Sequence, residues 1–213
     1  MGSNRSRQDR LVPWKVLKSR RLFSALPWVE LSVERVRNSR GRVIDDFYHV
    51  QLPDYVTIIA VRKDLQIVML RQYHHGARKV SLSFPAGYLE PGERPIEGAR
   101  RELLEETGHG AESWRSVGRY VVDGNRRCGK LHLILAQGAR ELRKPKRDEM
   151  EELEAFPMTP SEIARSLRRG EIDILPNALA AAMIFFLSTD ENKERLVMNG
   201  SVRRVRNDRL KIR

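Results

Sequence analysis

The clearest hydrophobic pattern lies at residues 55–61 and 66–70. Two apolar, β-branched runs flank the polar triplet Arg62-Lys63-Asp64, which predicts a buried hairpin. Upstream, residues 14–50 alternate in part, most clearly over 28–36, and read as short strands with a turn at Asn38-Ser39-Arg40-Gly41. Downstream the period changes. Pro95 suits a first helical turn, Ile96, Ala99 and Leu103 recur at helical spacing, and Gly108 is a natural stop. Residues 118–122 and 130–136 then predict two strands joined by the turn-rich, cationic loop 123–129. Thr159-Pro160-Ser161-Glu162 is a capping box with Pro at the first helical position, and Gly170 ends that helix. Asn177 is expected to cap a last helix over 178–187, apolar nearly all round and therefore buried.

Composition bounds this α/β picture. A chain of 213 residues is long enough for one domain plus an appendage. The lone Cys128 allows no intrachain disulfide, as expected in a reducing, cytoplasmic compartment, and no Cys/His group has zinc-ligand spacing. The basic N-terminus is followed by no apolar signal region, and the ten-residue apolar run 178–187 is too short to span a bilayer. The opening Met1-Gly2-Ser3-Asn4-Arg5-Ser6 fits the pattern for N-myristoylation at Gly2.

The net charge of +12 is unevenly spread. Residues 1–42 carry eleven Lys/Arg against three Asp/Glu, and residues 193–213 carry eight against two. The body between them is nearly neutral. The basic ends suit nucleic acid or an anionic membrane as partners, or are solvated tails. A non-catalytic nucleic-acid-binding module is a rival reading, although no helix-turn-helix, zinc-finger or aromatic-rich RNA motif accompanies the charge.

Candidate chemistry sits on the helix after Pro95. At 100° per residue, Glu102, Glu105 and Glu106 fall within an arc of about 100°. Carboxylates this close repel one another, and some take up protons unless a cation sits among them. Their hard oxygens suit Mg2+ or Mn2+. Arg101 stands one turn before Glu105 and can pair with it, and Gly98 leaves room for close approach on the same arc. A plain acidic helix face in water is the alternative.

The glycine frame bears on that choice. From Gly87 to Gly108 the chain reads G-x5-E-x7-R-E-L-x-E-E-x-G, which resembles the signature box of the Nudix hydrolases at every fixed position; only the closing apolar position departs, as His109. The resemblance implies an α/β/α sandwich with a mixed β-sheet. It implies Mg2+-dependent hydrolysis of a nucleoside diphosphate linked to another group, with Mn2+ as a substitute ion. In that frame Glu102, Glu105 and Glu106 hold the metal with the Ala86 carbonyl, and Gly87 turns the strand end so that this carbonyl faces the ion. Glu93, Arg101 and Gly108 hold loop and helix in place.

Arg71-Gln72-Tyr73-His74-His75-Gly76 and the later Pro85-Ala86-Gly87 resemble the ADP-ribose pyrophosphatase branch over roughly residues 14–187. His74 stands where that branch usually has arginine, Ser83 where it often has glutamate, and no proline occurs between Gly110 and Lys130. The branch implies ADP-ribose or a related nucleotide sugar as substrate, cleaved to AMP and a sugar phosphate. A dinucleotide cofactor, a GDP-sugar or an RNA 5' end are the alternatives within the family. Arg71, His74, Arg126 and Arg127 are the expected substrate contacts, and Glu149 and Glu151 the candidate catalytic bases. The expected organisation is a disordered basic N-terminus at 1–12 and an N-terminal β-rich extension at 13–50 that builds a homodimer. A catalytic domain at 51–190 and a basic tail at 191–213 follow.

Overall fold

The computed structural model describes residues 12–145 and 152–189. Glu149, Glu151, Gly2 and the basic tail from residue 191 lie outside the described residues. The chain divides into two compact units. The first takes the described part of Met1–Thr57, with Ala86–Arg101 and Arg115–Ile134; the second takes Ile58–Pro85, Glu102–Trp114 and the described part of Leu135–Arg213.

In the first unit, β1 (Lys15–Ala25), β2 (Val29–Arg37) and β3 (Val43–Gln51) form an antiparallel meander. They are long strands of 11, 9 and 9 residues, where the partial alternation suggested short ones. The β2–β3 turn forms where Asn38, Ser39, Arg40 and Gly41 predict it, because the Asn38 carboxamide accepts the Arg40 and Arg42 N–H groups at 3.0 and 2.9 Å. β7 (Ala86–Tyr88) lies antiparallel to the start of β4 (Tyr55–Arg62). β9 (Ser113–Asp123) and β10 (Arg127–Glu141) form a hairpin, and the start of β10 runs parallel to the end of β3, with Arg127 opposite Val50. The sheet is therefore mixed.

The hairpin loop is shorter than the expected span 123–129. The Asp123 carboxylate accepts the N–H groups of Asn125 and Arg126 at 2.7 and 2.8 Å, so the chain reverses within four residues and β10 starts at Arg127.

In the second unit, β4 and β5 (Ile67–His74) make the expected hairpin, with Val61 opposite Ile67. Ile58, Ile59, Ala60, Ile67, Met69 and Leu70 are fully buried. A run buried at successive positions, not alternate ones, is covered on both faces, so these residues need no polar positions. β6 (Lys79–Ser83) and β11 (Leu153–Met158) flank β5 on either edge, and the short β8 (His109–Gly110) lies antiparallel to the end of β10, with Gly110 opposite Arg140.

Helix α2 (Pro160–Arg168) carries the expected cap: Thr159 Oγ1 accepts the Glu162 N–H, and the Glu162 carboxylate accepts the Thr159 N–H at 2.8 Å. Helix α3 (Leu175–Thr189) differs from expectation twice. Asn177 lies inside its first turn and caps nothing; its buried carboxamide oxygen instead accepts the Phe84 N–H at 3.1 Å. The helix also buries one face only, through Ala180, Ala181 and Ile184, while Leu175 is 69% exposed. Uniform apolarity hid which side faces the core. No helix among the described residues is long and apolar enough to cross a membrane.

Candidate active site

The segment from Pro85 to Gly108 is assembled by its own backbone. The Pro85 carbonyl accepts the Ile58 N–H at 2.9 Å, after which Ala86, Gly87 and Tyr88 pair with Thr57, Val56 and Tyr55. Gly87 therefore sits in mid-strand opposite Val56, not at a sharp turn as expected. Asp54 anchors the next step: its carbonyl accepts the Leu89 N–H, and its carboxylate accepts the Lys130 N–H, both at 2.9 Å. Its local sign is weak, a Pro53-Asp54 pair before an apolar run. His132 Nε2 lies 3.6 Å from the same carboxylate, in keeping with a structural role.

Helix α1 (Pro95–Thr107) is locked at its entry. Arg101 grips Glu93 through two hydrogen bonds of 3.0 and 2.9 Å, and the same guanidinium reaches the Tyr88 carbonyl at 3.0 Å. The fork of Arg matches the two carboxylate oxygens. The Glu93 side chain is only 12% exposed, and its carboxyl is held below the usual range first by the Arg101 hydrogen bonds, against the opposing effect of burial. Gly98 is what lets the loop come this close. A Cβ there would meet the Leu89 side chain at 2.5 Å and the Glu93 carboxylate at 2.9 Å. The room beside Gly98 is thus filled by the loop.

The far end of α1 is fixed as firmly. Gly108 has φ +71°, open to glycine at little cost, and a Cβ there would fall on the Arg143 carbonyl oxygen. Its own carbonyl accepts the Leu142 N–H at 2.9 Å. His109 turns its ring back, Nδ1 lying 2.8 Å from the Thr107 carbonyl. That contact uses a polar ring where the motif usually closes on an apolar side chain.

Between these fixings lie the three glutamates. Glu106 is buried at 6% exposure, and Glu102 and Glu105 are half-buried. The buried face of α1 is Ala99, Leu103 and Glu106, so one carboxylate lies at the edge of the apolar stripe. Among the described residues no group of three His, Cys, Asp or Glu side chains stands placed to hold a metal ion by itself. A set of carboxylates on one helix face fits a hard cation that takes its other oxygens from phosphate and water, as Mg2+ typically does.

The other expected residues are placed as follows. Ala86 opens β7 opposite Thr57. Arg71 on β5 pairs with Glu154 at 3.2 Å and lies over the Phe156 ring, 5.3 Å from its centroid. His74 ends β5 with Nε2 buried and without a hydrogen-bond partner; burial pushes its pKa down, against the pull of Asp173. Arg126 donates to the Tyr48 carbonyl at 3.2 Å, and Arg127 is exposed beside it.

The profile of the NUDIX domain matches residues 51–177. The chain belongs to the Nudix family. It is 27% identical over 159 residues to the ADP-ribose pyrophosphatase of Bacillus subtilis, covering 74% of this chain and 85% of that one. It is 33% identical over 124 residues to the methanol dehydrogenase activator of Bacillus methanolicus, covering 58% of this chain and 66% of that one, just under two thirds of its length. A crystal structure of an ADP compounds hydrolase superimposes with a TM-score of 0.73 at 20% identity, covering 87% of this chain and 98% of that one. That likeness shows the fold: the Nudix α/β/α sandwich with a mixed β-sheet.

Proposed function

We infer that this Nudix protein is a divalent-metal-dependent pyrophosphohydrolase that cleaves ADP-ribose or a related nucleotide sugar to AMP and a sugar phosphate. The observation that carries the reading is the α1 arrangement: a buried Glu106 beside half-buried Glu102 and Glu105, on a helix clamped at both ends. The names of the B. subtilis pyrophosphatase and of the ADP compounds hydrolase favour the ADP-linked substrate.

In this reading Glu102, Glu105 and Glu106 would hold Mg2+ or Mn2+, and the ion would supply charge neutralisation of the diphosphate and activation of water. The protein's own work is placement. The Arg101–Glu93 clamp holds the entry of α1 and the Gly108 turn holds its end, which limits how far the helix backbone can shift. Glu149 and Glu151 are the candidate bases carried by the family resemblance. Arg71 and His74 are the proposed substrate contacts. At His74 burial pushes the imidazole pKa down, against the pull of Asp173.

The test is a hydrolysis screen with Mg2+ or Mn2+ over ADP-ribose, NADH, GDP-mannose, a capped RNA and ATP, with both products identified. The highest kcat/KM is expected for ADP-ribose, with AMP as product. A higher value for NADH, GDP-mannose, the capped RNA or ATP would overturn the substrate assignment.

A further inference from the structure

Part of the positive charge of the N-terminal region is organised on an ordered sheet. In the β1–β2 ladder Lys15 lies opposite Arg37, Lys18 opposite Arg35, and Arg20 opposite Val33. Arg37, Arg35 and Val33 are spaced by two along β2 and so share one face. Val33 in turn lies opposite Tyr48 of β3. All five cations are exposed, and Tyr48 is 43% exposed. Lys18, Arg20, Arg35, Asp45, Asp46 and Tyr48, with Val33, line an open depression of about 320 Å³. Arg35 is paired with Asp45 at 2.6 Å. Five cations against two carboxylates leave the face positive.

Protection of a sheet edge accounts for charge on β1 but not on β2. An edge strand commonly carries Lys and Arg to discourage pairing with other chains. β2 is paired on both sides, so Arg35 and Arg37 guard no edge. Two copies of a face with this charge repel each other, which argues against a second molecule of the chain as its occupant. A membrane surface also uses cations and interfacial aromatic rings, but it has no use for the depression set between them. A single-stranded nucleic acid uses both, with phosphates along the cations and a base stacked on the ring.

We propose that this face of β1–β3 binds single-stranded nucleic acid, with Lys15, Lys18, Arg20, Arg35 and Arg37 on phosphates and Tyr48 stacking a base. Lys15 to Arg20 spans about 17 Å of strand at roughly 3.3 Å per residue, enough for a short run of nucleotides. The contacts are sequence-tolerant, because every base has a face to stack and phosphates are alike.

The probe is a fluorescein-labelled oligouridylate, titrated with the full chain by anisotropy at several salt concentrations. The sheet variant is Lys18→Gln/Arg20→Gln/Arg37→Gln. A control, Arg78→Gln/Arg168→Gln/Arg169→Gln, removes equal charge elsewhere. Each lost phosphate contact flattens the log–log salt slope by about 0.7, so the sheet variant should lose about 2 from the slope and bind on the order of tenfold more weakly. Tyr48→Ala should weaken binding about tenfold at unchanged slope, with Tyr48→Phe restoring it. Circular dichroism and melting of each variant establish that it folds. Equal losses in sheet variant and control, or no loss in the folded sheet variant, would overturn the proposal. So would unchanged binding by Tyr48→Ala. Loss of binding to phosphatidylserine vesicles with RNA binding intact would assign the face to membranes instead, and a change of mass in light scattering would assign it to contacts between copies.

Discussion

Removing Arg101 from the Glu93 clamp should cost stability well beyond an ordinary surface ion pair. Exposed pairs contribute about 0–1 kcal/mol, because water screens them and long side chains lose entropy. Here the Arg101 side chain is 25% exposed and Glu93 12%, with two hydrogen bonds between them and a third to the Tyr88 carbonyl. A hydrogen bond to a charged group contributes about 1.5–3 kcal/mol, and a carboxylate left unpaired in a half-buried site adds its desolvation penalty. Arg101→Ala is therefore expected to destabilise the protein by about 3 kcal/mol. Arg101→Lys, which loses the fork but keeps the charge, should cost about 1–2 kcal/mol. In a double-mutant cycle with Glu93→Gln the coupling should be about 1–2 kcal/mol.

The pH dependence gives the cycle an independent check. The Glu93 carboxyl is held below its ordinary value in the fold, chiefly by the Arg101 hydrogen bonds. Its contribution is therefore fully present above the unfolded carboxyl pKa and is lost as pH falls through the depressed folded value. Urea unfolding of wild type and Glu93→Gln should show a stability difference at pH 7 that shrinks below about pH 4. A coupling under about 0.3 kcal/mol, or a difference that does not change on acidification, would refute the clamp as a source of rigidity.

Gly108→Ala combines a left-handed backbone with a clash on the Arg143 carbonyl; it should destabilise by about 3 kcal/mol or more in thermal or urea unfolding, and a loss under 1 kcal/mol would show that the turn relaxes. Thr57 is fully buried with its hydroxyl unpartnered, so Thr57→Val should stabilise by about 1 kcal/mol, and a loss of stability would reveal a partner for that oxygen. We also propose that the first unit joins two copies of the chain through Trp14, Val16, Leu26 and Trp28, which are 48, 51, 62 and 64% exposed. Light scattering at micromolar concentration should give about twice the 24.7 kDa chain mass; a monomer mass would reject the pairing.

Local chemistry was legible in the sequence wherever one residue type decides the backbone. The turn at Asn38-Ser39-Arg40-Gly41, the Thr159–Glu162 capping box and the Gly108 stop appear where side-chain acceptors or a left-handed φ demand them. The β4–β5 hairpin was legible because burial on both faces leaves an uninterrupted apolar run. What depends on distant partners was hidden. Asn177 looks like a helix cap because the residue type favours one, yet Phe84, 93 residues away in the link between β6 and β7, takes its carboxamide. The apolar ring of α3 carries no phase, so its buried side could not be read. At the site, spacing gave the shared arc of Glu102, Glu105 and Glu106. The depth of Glu106 depends on neighbours that no local pattern encodes. The use of the Gly98 gap by Leu89 and Glu93 is likewise a tertiary fact.

The most direct test is a Mg2+ titration of ADP-ribose hydrolysis by wild type and Glu106→Gln, with EDTA as the zero point. Gln keeps the size of Glu106 and removes its charge. If α1 holds the ion that stabilises the transition state, wild-type activity rises from zero with Mg2+, while the folded variant is slower by on the order of a thousandfold at saturation. Full wild-type activity in EDTA, or an unchanged rate in the variant, would contradict the assignment of the carboxylates on α1.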